Sequence, residues 1–401
     1  MRESTLLTRE KLAYREGGML DWDSQPSVFK KYPSFLSRTD IGSIPQLKWL
    51  RHTRMVTDVR SMGLKPYYRL NVPSAGNLHP IEIYIQLRGV PGLLSGIYHL
   101  ELPGSVLTLI REIGSEGVER YVGMDNRFDG AIVMISLVPF RSFWKYGLRG
   151  WRYLYLDLGH QIGTLGASVR HFGGELSKMS PSGDLSRMMG MGDEEFVAAV
   201  YGVGSCGERP AKPLKRPLMR VAPTDYCEGD ESFARALNTG HIFSGLPETA
   251  PVGDFDRLNA QRRSAREFCP VIHEGDALQR LMKTPCPPSI EPIFAVVRAR
   301  SMQHGLYKKG HCVREGEFRN DIVRLLLDQR FTGSAALVAL IYADRFDEQT
   351  HIDAGIYAQM LYLSCEAEGL GCSGIGAFFD EEAPSFHSKK LVYAVAIGGK
   401  P

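Results

Sequence analysis

The chain has 401 residues, of which 43% are hydrophobic and 23% charged, with 48 basic against 45 acidic side chains and a formal net charge of +3. This is globular composition, long enough for two domains, and it excludes a disordered chain. So small a net charge also excludes a broad nucleic-acid surface. No apolar run approaches the roughly 18 residues that span a bilayer. The opening MRESTLLTREKLAYREGG has no apolar h-region, so a cytoplasmic protein without a membrane partner is expected. All seven cysteines (Cys206, Cys227, Cys269, Cys286, Cys312, Cys365 and Cys372) fall in the second half, odd in number and without a C-x-x-C pair. Neither a disulfide framework nor a metal site is expected from them.

In chain order, an N-terminal extension of about 40 residues leads to the stretch NVPSAGNLHP, residues 71–80. Pro73, Ser74, Gly76 and Asn77 punctuate a loop there, and His79-Pro80 returns the chain to extended structure. A loop of small residues lets backbone approach a flat ligand closely. The alternating run IEIYIQL that follows reads as a strand, and GAIVMISLV (130–138) and FVAAVYGVG (196–204) read as strands buried on both faces. Between them, 156–172 carries Leu158, Ile162, Leu165 and Val169 at helical spacing. Gly159, Gly163 and Gly166 along one edge of that helix allow a partner helix to come close.

Residues 205–251 are rich in Pro and Gly and read as a linker with one short helix. Its basic cluster RPAKPLKRPLMR (209–220) is either solvated linker or a docking arm for an acidic partner. Beyond it come QRRSAREF (261–268), the strands ALVALIYA (336–343) and LVYAVAIGG (391–399), and a helix over 352–368 with Ile356, Met360, Leu363 and Ala367 on one face.

The two halves repeat. IEIYI (81–85) and SGIYHL (95–100) match IEPIF (290–294) and HGLYKK (304–309) at an offset of 209, and 156–174 matches 352–370 at an offset of 196. The expectation is an α+β protein of two tandem domains, 41–204 and 256–401, after a 1–40 extension and joined by a 205–255 linker. Each domain is a mixed sheet flanked by helices, and the two pack as an intramolecular pseudo-dimer.

Three features occur once each. Arg262, Arg263, Ser264 and Arg266 group three guanidinium ions and a hydroxyl, expected at a helix start whose free amides complete an anion cradle. At the offset of 209, Arg54 answers Arg263 but Met55 replaces Ser264. GLGCSGIGAFFD (369–380) offers Gly374 and Gly376 as a turn reaching a ligand ring, where the first half has GELSKMSPSGD. PSAGN (73–77) corresponds to MKTPC (282–286), which has lost the loop character. One composite site at the interface of the halves accounts for this division.

At these residues the chain resembles the nitroreductase superfamily and, within it, the SagB-type branch that includes azoline dehydrogenases of peptide natural-product pathways. The resemblance is carried by LDWDSQPSVFKKYP (20–33), VPSAGNLHPIEIY, WKYGLRGWRYLYLDLGH (144–160) and RRSAREF, and covers most of the chain. It implies an FMN-dependent oxidoreductase with nitroreductase-like domains. Arg262, Arg263 and Ser264, with Arg266 beside them, would hold the phosphate and ribityl chain. Pro73, Ser74, Ala75, Gly76 and Asn77 would line the isoalloxazine, and Gly374, Ile375 and Gly376 would bring an amide near N5. Lys400 would reach the phosphate. Lys145 and Tyr146 match a Lys-Tyr pair implicated in proton transfer, the lysine with a lowered pKa or the tyrosine as tyrosinate taking the proton as hydride leaves to flavin. The tandem arrangement departs from the usual homodimer and implies one FMN per chain.

The expected partner is a small-molecule or peptide-linked heterocycle, with a biosynthetic enzyme as a further partner. NAD(P)H-dependent reduction of nitroaromatics or quinones, and a non-catalytic flavin-binding or scaffold protein, are the alternatives. His79 reads as a structural hydrogen-bonder or a base, His160 as a core or interface histidine, Arg69 as a ligand contact or a solvated side chain, and Cys372 as a small packing residue or a redox thiol.

Overall fold

The computed structural model describes residues 3–13, 20–62, 65–182, 184–225, 253–269, 275–299 and 302–401. The short helix expected in the linker beyond 225, and Cys227, lie outside the described residues.

Apolar runs make the two sheets. The first sheet is built from β1 (Arg38–Asp40), β4 (Ile81–Arg88), β5 (Gly96–Glu101), β6 (Val106–Glu112), β8 (Asn126–Leu137), β9 (Ser177–Lys178) and β10 (Phe196–Pro210), and its order is β1-β6-β5-β4-β8-β10-β9. The second contains β12 (Glu291–Val296), β13 (Gly305–Lys308), β14 (His311–Glu315), β15 (Leu337–Ala343), β16 (Leu370–Ile375) and β17 (Lys390–Gly399), in the order β14-β13-β12-β15-β17-β16. Without β1 the two orders are the same, element for element, so the repeat in the sequence is a repeat of topology. Every position of β4 and β15 is buried, as expected where both faces of a sheet are covered.

The ladders within both large sheets are antiparallel. A parallel component enters at the second sheet's edge, where Ser264 bridges Cys372, and in the first half between β7 (Glu116–Gly117) and β11 (Lys212–Pro213). A separate hairpin, β2 (Val56–Met62) with β3 (Lys65–Leu70), stands outside the sheets.

The two long helices, Gly150–His171 and Glu348–Ala367, pack against each other at the centre. Both begin earlier than the apolar spacing predicts. The second starts at a reciprocal cap, in which Thr350 N–H donates to Asp347 Oδ1 at 3.0 Å and Asp347 N–H donates to Thr350 Oγ1 at 3.1 Å. A methyl on Gly159 would stand 2.8 Å from Gly355 Cα, and one on Gly355 would stand 2.9 Å from Gly159 Cα. Absence of a Cβ is what allows the helices to touch backbone to backbone. One apolar cluster runs from Ile41 through Ile162 and Ile356 to Ile397, so the halves share a core.

The basic cluster 209–220 is not a free solvated arm. Strand β10 extends to Pro210, Lys212–Pro213 pairs with β7, and Leu214 and Leu218 are buried beside Met188 and Val200. The peptide oxygens of Arg216 and Pro217 accept from Arg111 at 2.8 and 3.1 Å, while Lys215 and Arg216 point to solvent. Alternating apolar anchors hold the segment to the first sheet. The N-terminal segment, too, is tied across the molecule: Leu7 N–H donates to Asp380 Oδ2 at 2.7 Å, and Arg149 donates to the carbonyl of Thr5 at 2.9 Å.

Candidate functional site

Two adjoining cavities, of about 290 Å³ and about 140 Å³, lie where the halves meet. They share Pro73, Ser74, Gly76, Ser264 and Arg266, so they form one cleft with two ends. The larger end is lined by Lys145, Tyr146, Tyr153, Asp157, Tyr362 and Tyr393 and by the strand end Gly374–Gly376. The smaller end is lined by Arg69, Arg262, Arg263 and Asn77. The first half thus contributes the 73–77 loop and Lys145-Tyr146, and the second contributes the arginine cluster and the glycines.

The arginine cluster does not begin a helix. The helix Phe255–Gln261, capped by Asp254, ends at it, and Arg262 is the first residue past the end. The chain then runs extended beside β16, with Ala265 N–H donating to the carbonyl of Cys372 at 2.9 Å. Free helix-start amides are therefore not part of the cradle. Arg262 is buried and reaches across to the first half, its Nε donating to the carbonyl of Asn71 at 2.6 Å and its Nη2 to that of Leu70 at 2.9 Å. Its Nη1 is buried without a partner, an unusual state for a guanidinium nitrogen. Arg263 is half-buried and donates to the carbonyls of Ala260, Arg262 and Thr57 at 3.0, 2.7 and 3.3 Å. Arg266 is exposed and has no hydrogen-bond or ion-pair partner among the described residues. Arg69 is 3.5 Å from Asp58 on the hairpin.

Gly374 and Ile375 lie in strand β16, not in a turn, with Gly376 just beyond it. The Gly374 N–H donates to Tyr362 Oη at 2.7 Å, and Tyr362 Oη lies 2.8 Å from Ser264 Oγ. One phenol thereby joins the arginine segment to the glycine strand. Methyls at 374 and 376 would collide with Tyr393 and Tyr153, so these positions are small to admit the tyrosines that line the cleft.

The loop is a tight one. Gly76, Asn77 and His79 have φ of 63°, 61° and 48°, in the left-handed region. A methyl on Gly76 would stand 2.6 Å from Tyr146 Oη and 3.2 Å from Lys145 Nζ, so the loop packs directly on the Lys-Tyr pair. Asp157 Oδ2 accepts from Ser74 Oγ at 2.6 Å, and Ala75 N–H donates to Asp157 Oδ1 at 3.1 Å. Burial pushes Asp157 up to about 7, against the hydrogen bonds from Ser74 and Ala75 and the charge of Arg54.

Lys145 Nζ lies 4.7 Å from the centroid of the Trp22 ring and has no carboxylate partner among the described residues. Burial, and then the charge of Arg266, lowers its pKa. Tyr146 packs edge-on to Tyr153 at 4.5 Å, and burial raises its pKa well above the ordinary value. It keeps its proton at neutral pH, which leaves no support for a tyrosinate.

His79 and His160 are both buried and hydrogen-bonded. His79 is buried, its Nε2 within 3.2 Å of the Tyr68 carbonyl and 3.1 Å of Asn77 Oδ1, and burial lowers it to about 3. His160 stands between Gln359 Oε1 at 3.0 Å and Tyr393 Oη at 3.2 Å, and is likewise lowered to about 3 by burial. Cys372 is buried beside the cleft. Lys400 Nζ pairs with Glu366 at 2.6 Å and is not among the residues lining the cleft.

Asp157, Tyr153, Tyr362, Tyr393 and Trp22 escape the sequence reading. For Asp157 a signal existed, namely an acid set among the apolar residues Leu154, Leu156 and Leu158. The tyrosines read as ordinary core residues.

A sequence model of the nitroreductase family matches residues 296–398. A presumed nitroreductase of Methanocaldococcus jannaschii is 34% identical over 108 residues, which is 26% of this chain and 51% of that protein, so the match spans about half of that relative's length. A crystal structure of a presumed nitroreductase from Anabaena variabilis superimposes with a TM-score of 0.77 at 21% identity, covering 100% of this chain and 98% of the other. No helix among the described residues is long and apolar enough to cross a membrane. Similarity to the nitroreductase family thus falls within the second half, and the chain as a whole has a nitroreductase-like α+β fold of two sheet-and-helix halves.

Proposed function

We propose that the chain is an FMN-dependent oxidoreductase with one flavin per chain, dehydrogenating a heterocycle such as an azoline in peptide natural-product biosynthesis. The observation that carries this reading is the composite cleft, with a guanidinium-lined end joined to a tyrosine-lined end by Ser74, Gly76, Ser264 and Arg266. A phosphate needs the first end and a flat ring the second.

The residues fit the group. Arg262 Nη1 is a buried donor lacking an acceptor, and Arg266 is a cation without a partner among the described residues. Arg263 and Arg69 complete a phosphate-binding end, with Ser264 toward the ribityl chain. Pro73 to Asn77 and Gly374 to Gly376 would face the ring from opposite halves. Because the Gly374 N–H already has Tyr362 as acceptor, Gly376 is the better candidate for an amide near the ring. Lys400 would act through the phosphate only by leaving Glu366.

FMN, when bound, supplies the two-electron redox chemistry. The protein then orients the substrate and removes a proton. Lys145, with its lowered pKa, is the base for the substrate carbon proton. Tyr146 keeps its proton and orients the substrate by donating a hydrogen bond. The Trp22 ring packs against the lysine on one side.

The experiment is flavin released on denaturation per chain, followed by turnover of an azoline substrate under oxygen. About one FMN per chain and oxygen consumption with the azoline support the proposal. Rapid NAD(P)H oxidation with a nitroaromatic or quinone, and an inert azoline, would move the function to a reductase. No flavin even after reconstitution would overturn both.

A further inference from the structure

Asp157 lies in the first half of the Gly150–His171 helix, buried, on the wall of the cleft. Its carboxylate accepts from Ser74 Oγ at 2.6 Å, and its two oxygens lie 3.1 and 3.2 Å from Ala75 N. Ser74 Oγ in turn accepts from His79 N–H at 3.0 Å, so one carboxylate organises both ends of the turn 74–79. That turn contains two non-glycine residues in the left-handed region, Asn77 and His79, a conformation that persists only when its surroundings enforce it. The groups around Asp157 are the loop donors, the Tyr146 and Tyr393 phenols, neutral His160 and the Arg54 cation.

Resting on the flavin reading, we infer that Asp157 is the positioning residue that clamps the 73–77 loop in the shape that grips the cofactor. The clamp acts on affinity through the loop; it takes no part in the redox step. A carboxyl buried deeply enough to be pushed up to about 7 destabilises a helix that an apolar residue would fill well, so its value lies in the loop contacts. The second half supplies a built-in control. Asp353, at the same offset of 196 that relates the long helices, accepts from Ser289 Oγ and from Gln349 Nε2, and it is not among the residues lining the cleft.

The test is FMN titration by fluorescence together with amide hydrogen exchange of the ligand-free full chain, on wild type, Asp157→Ala, Asp157→Asn and Asp353→Asn. Removing the side-chain acceptor of the loop hydrogen bonds predicts that Asp157→Ala binds FMN about tenfold to a hundredfold more weakly. Exchange should accelerate at residues 75–77. Asp157→Asn, whose amide oxygen still accepts, stays within about threefold of wild type. Asp353→Asn keeps wild-type FMN affinity. If Asp157→Ala does not fold, Ser74→Ala removes the same clamp from the loop side and gives the same weakening. A folded Asp157→Ala with wild-type affinity and unchanged loop exchange overturns the inference. Wild type that binds no FMN overturns the flavin reading and the ligand half of this inference, while unchanged exchange in Asp157→Ala overturns the clamp itself.

Discussion

Gly159 on one long helix lies against Gly355 on the other, each where a methyl on its partner would have to stand. They are 196 residues apart, the offset at which the two helices repeat, and their neighbours are reciprocal as well. A methyl on Gly159 would meet the carbonyl of Ile352, and one on Gly355 that of Leu156, which are again 196 apart. The two long helices therefore meet reciprocally at these glycines.

Adding bulk at this contact should separate the halves. Gly159→Ala gains about 1 kcal/mol of helix propensity but forces a methyl into partner backbone, at an overpacking cost of about 1–3 kcal/mol. The expected result is net destabilisation and a lower urea midpoint. Gly163→Ala, whose methyl would meet the Gln359 side chain at 3.1 Å, should be milder because a side chain can move.

Arg262 and Arg263 should separate by what they disturb. Arg262→Ala leaves the carbonyls of Leu70 and Asn71 without their buried donors, and should lower stability by about 2–4 kcal/mol. Arg263→Ala, half-buried and at the cleft's anion end, should leave the urea midpoint within about 1 kcal/mol of wild type and reduce retained flavin. Equal stability losses in both variants would argue against this division.

The pH dependence of stability should carry the signature of Asp157. Its folded value is raised to about 7, above the ordinary 3.8, by burial. Its contribution is therefore fully present below the ordinary value and is lost as pH rises through the folded one, at about 1.4 kcal/mol per pH unit between them. Asp157→Asn should flatten that decline, measured as the difference in urea midpoint between variant and wild type from pH 4.5 to 8. Buried His79 and His160, lowered to about 3, act in the opposite sense on the acid side and cancel in the comparison.

Lys145 and Tyr146 should affect turnover and not flavin content. Lys145→Ala should cut kcat by about 10²–10⁴-fold if it is the general base, with an unchanged flavin spectrum. Tyr146→Phe, removing a protonated phenol, should lose less and keep the rise of rate with pH that deprotonation of Lys145 produces. Loss of that rise in Tyr146→Phe would assign the titrating group to the tyrosine.

Much of this protein was legible in the chain. Hydrophobic periodicity marks the core strands and both long helices, because burial acts directly on residue type at each position. The repeat fixes the paired topology, since equal patterns bury equal faces. Their unequal survival in the two halves groups the loop 73–77, the arginine segment and the glycines, and the fold brings them to one cleft. What tertiary structure alone decided is how these parts are held. The arginines follow a helix end instead of starting a helix, because Arg262 finds its acceptors in the other half, on Leu70 and Asn71. Asp157, Tyr362 and Tyr393 become part of the cleft only when strands and helices far apart in sequence converge. The basic segment 209–220 is fastened by Leu214 and Leu218, two apolar residues whose effect local composition averages away. Sequence pattern reports the burial of a side chain, which is nearly a one-residue property. The partner it meets there is a property of residues 83 to 233 positions distant, and only the folded chain brings them within hydrogen-bond reach.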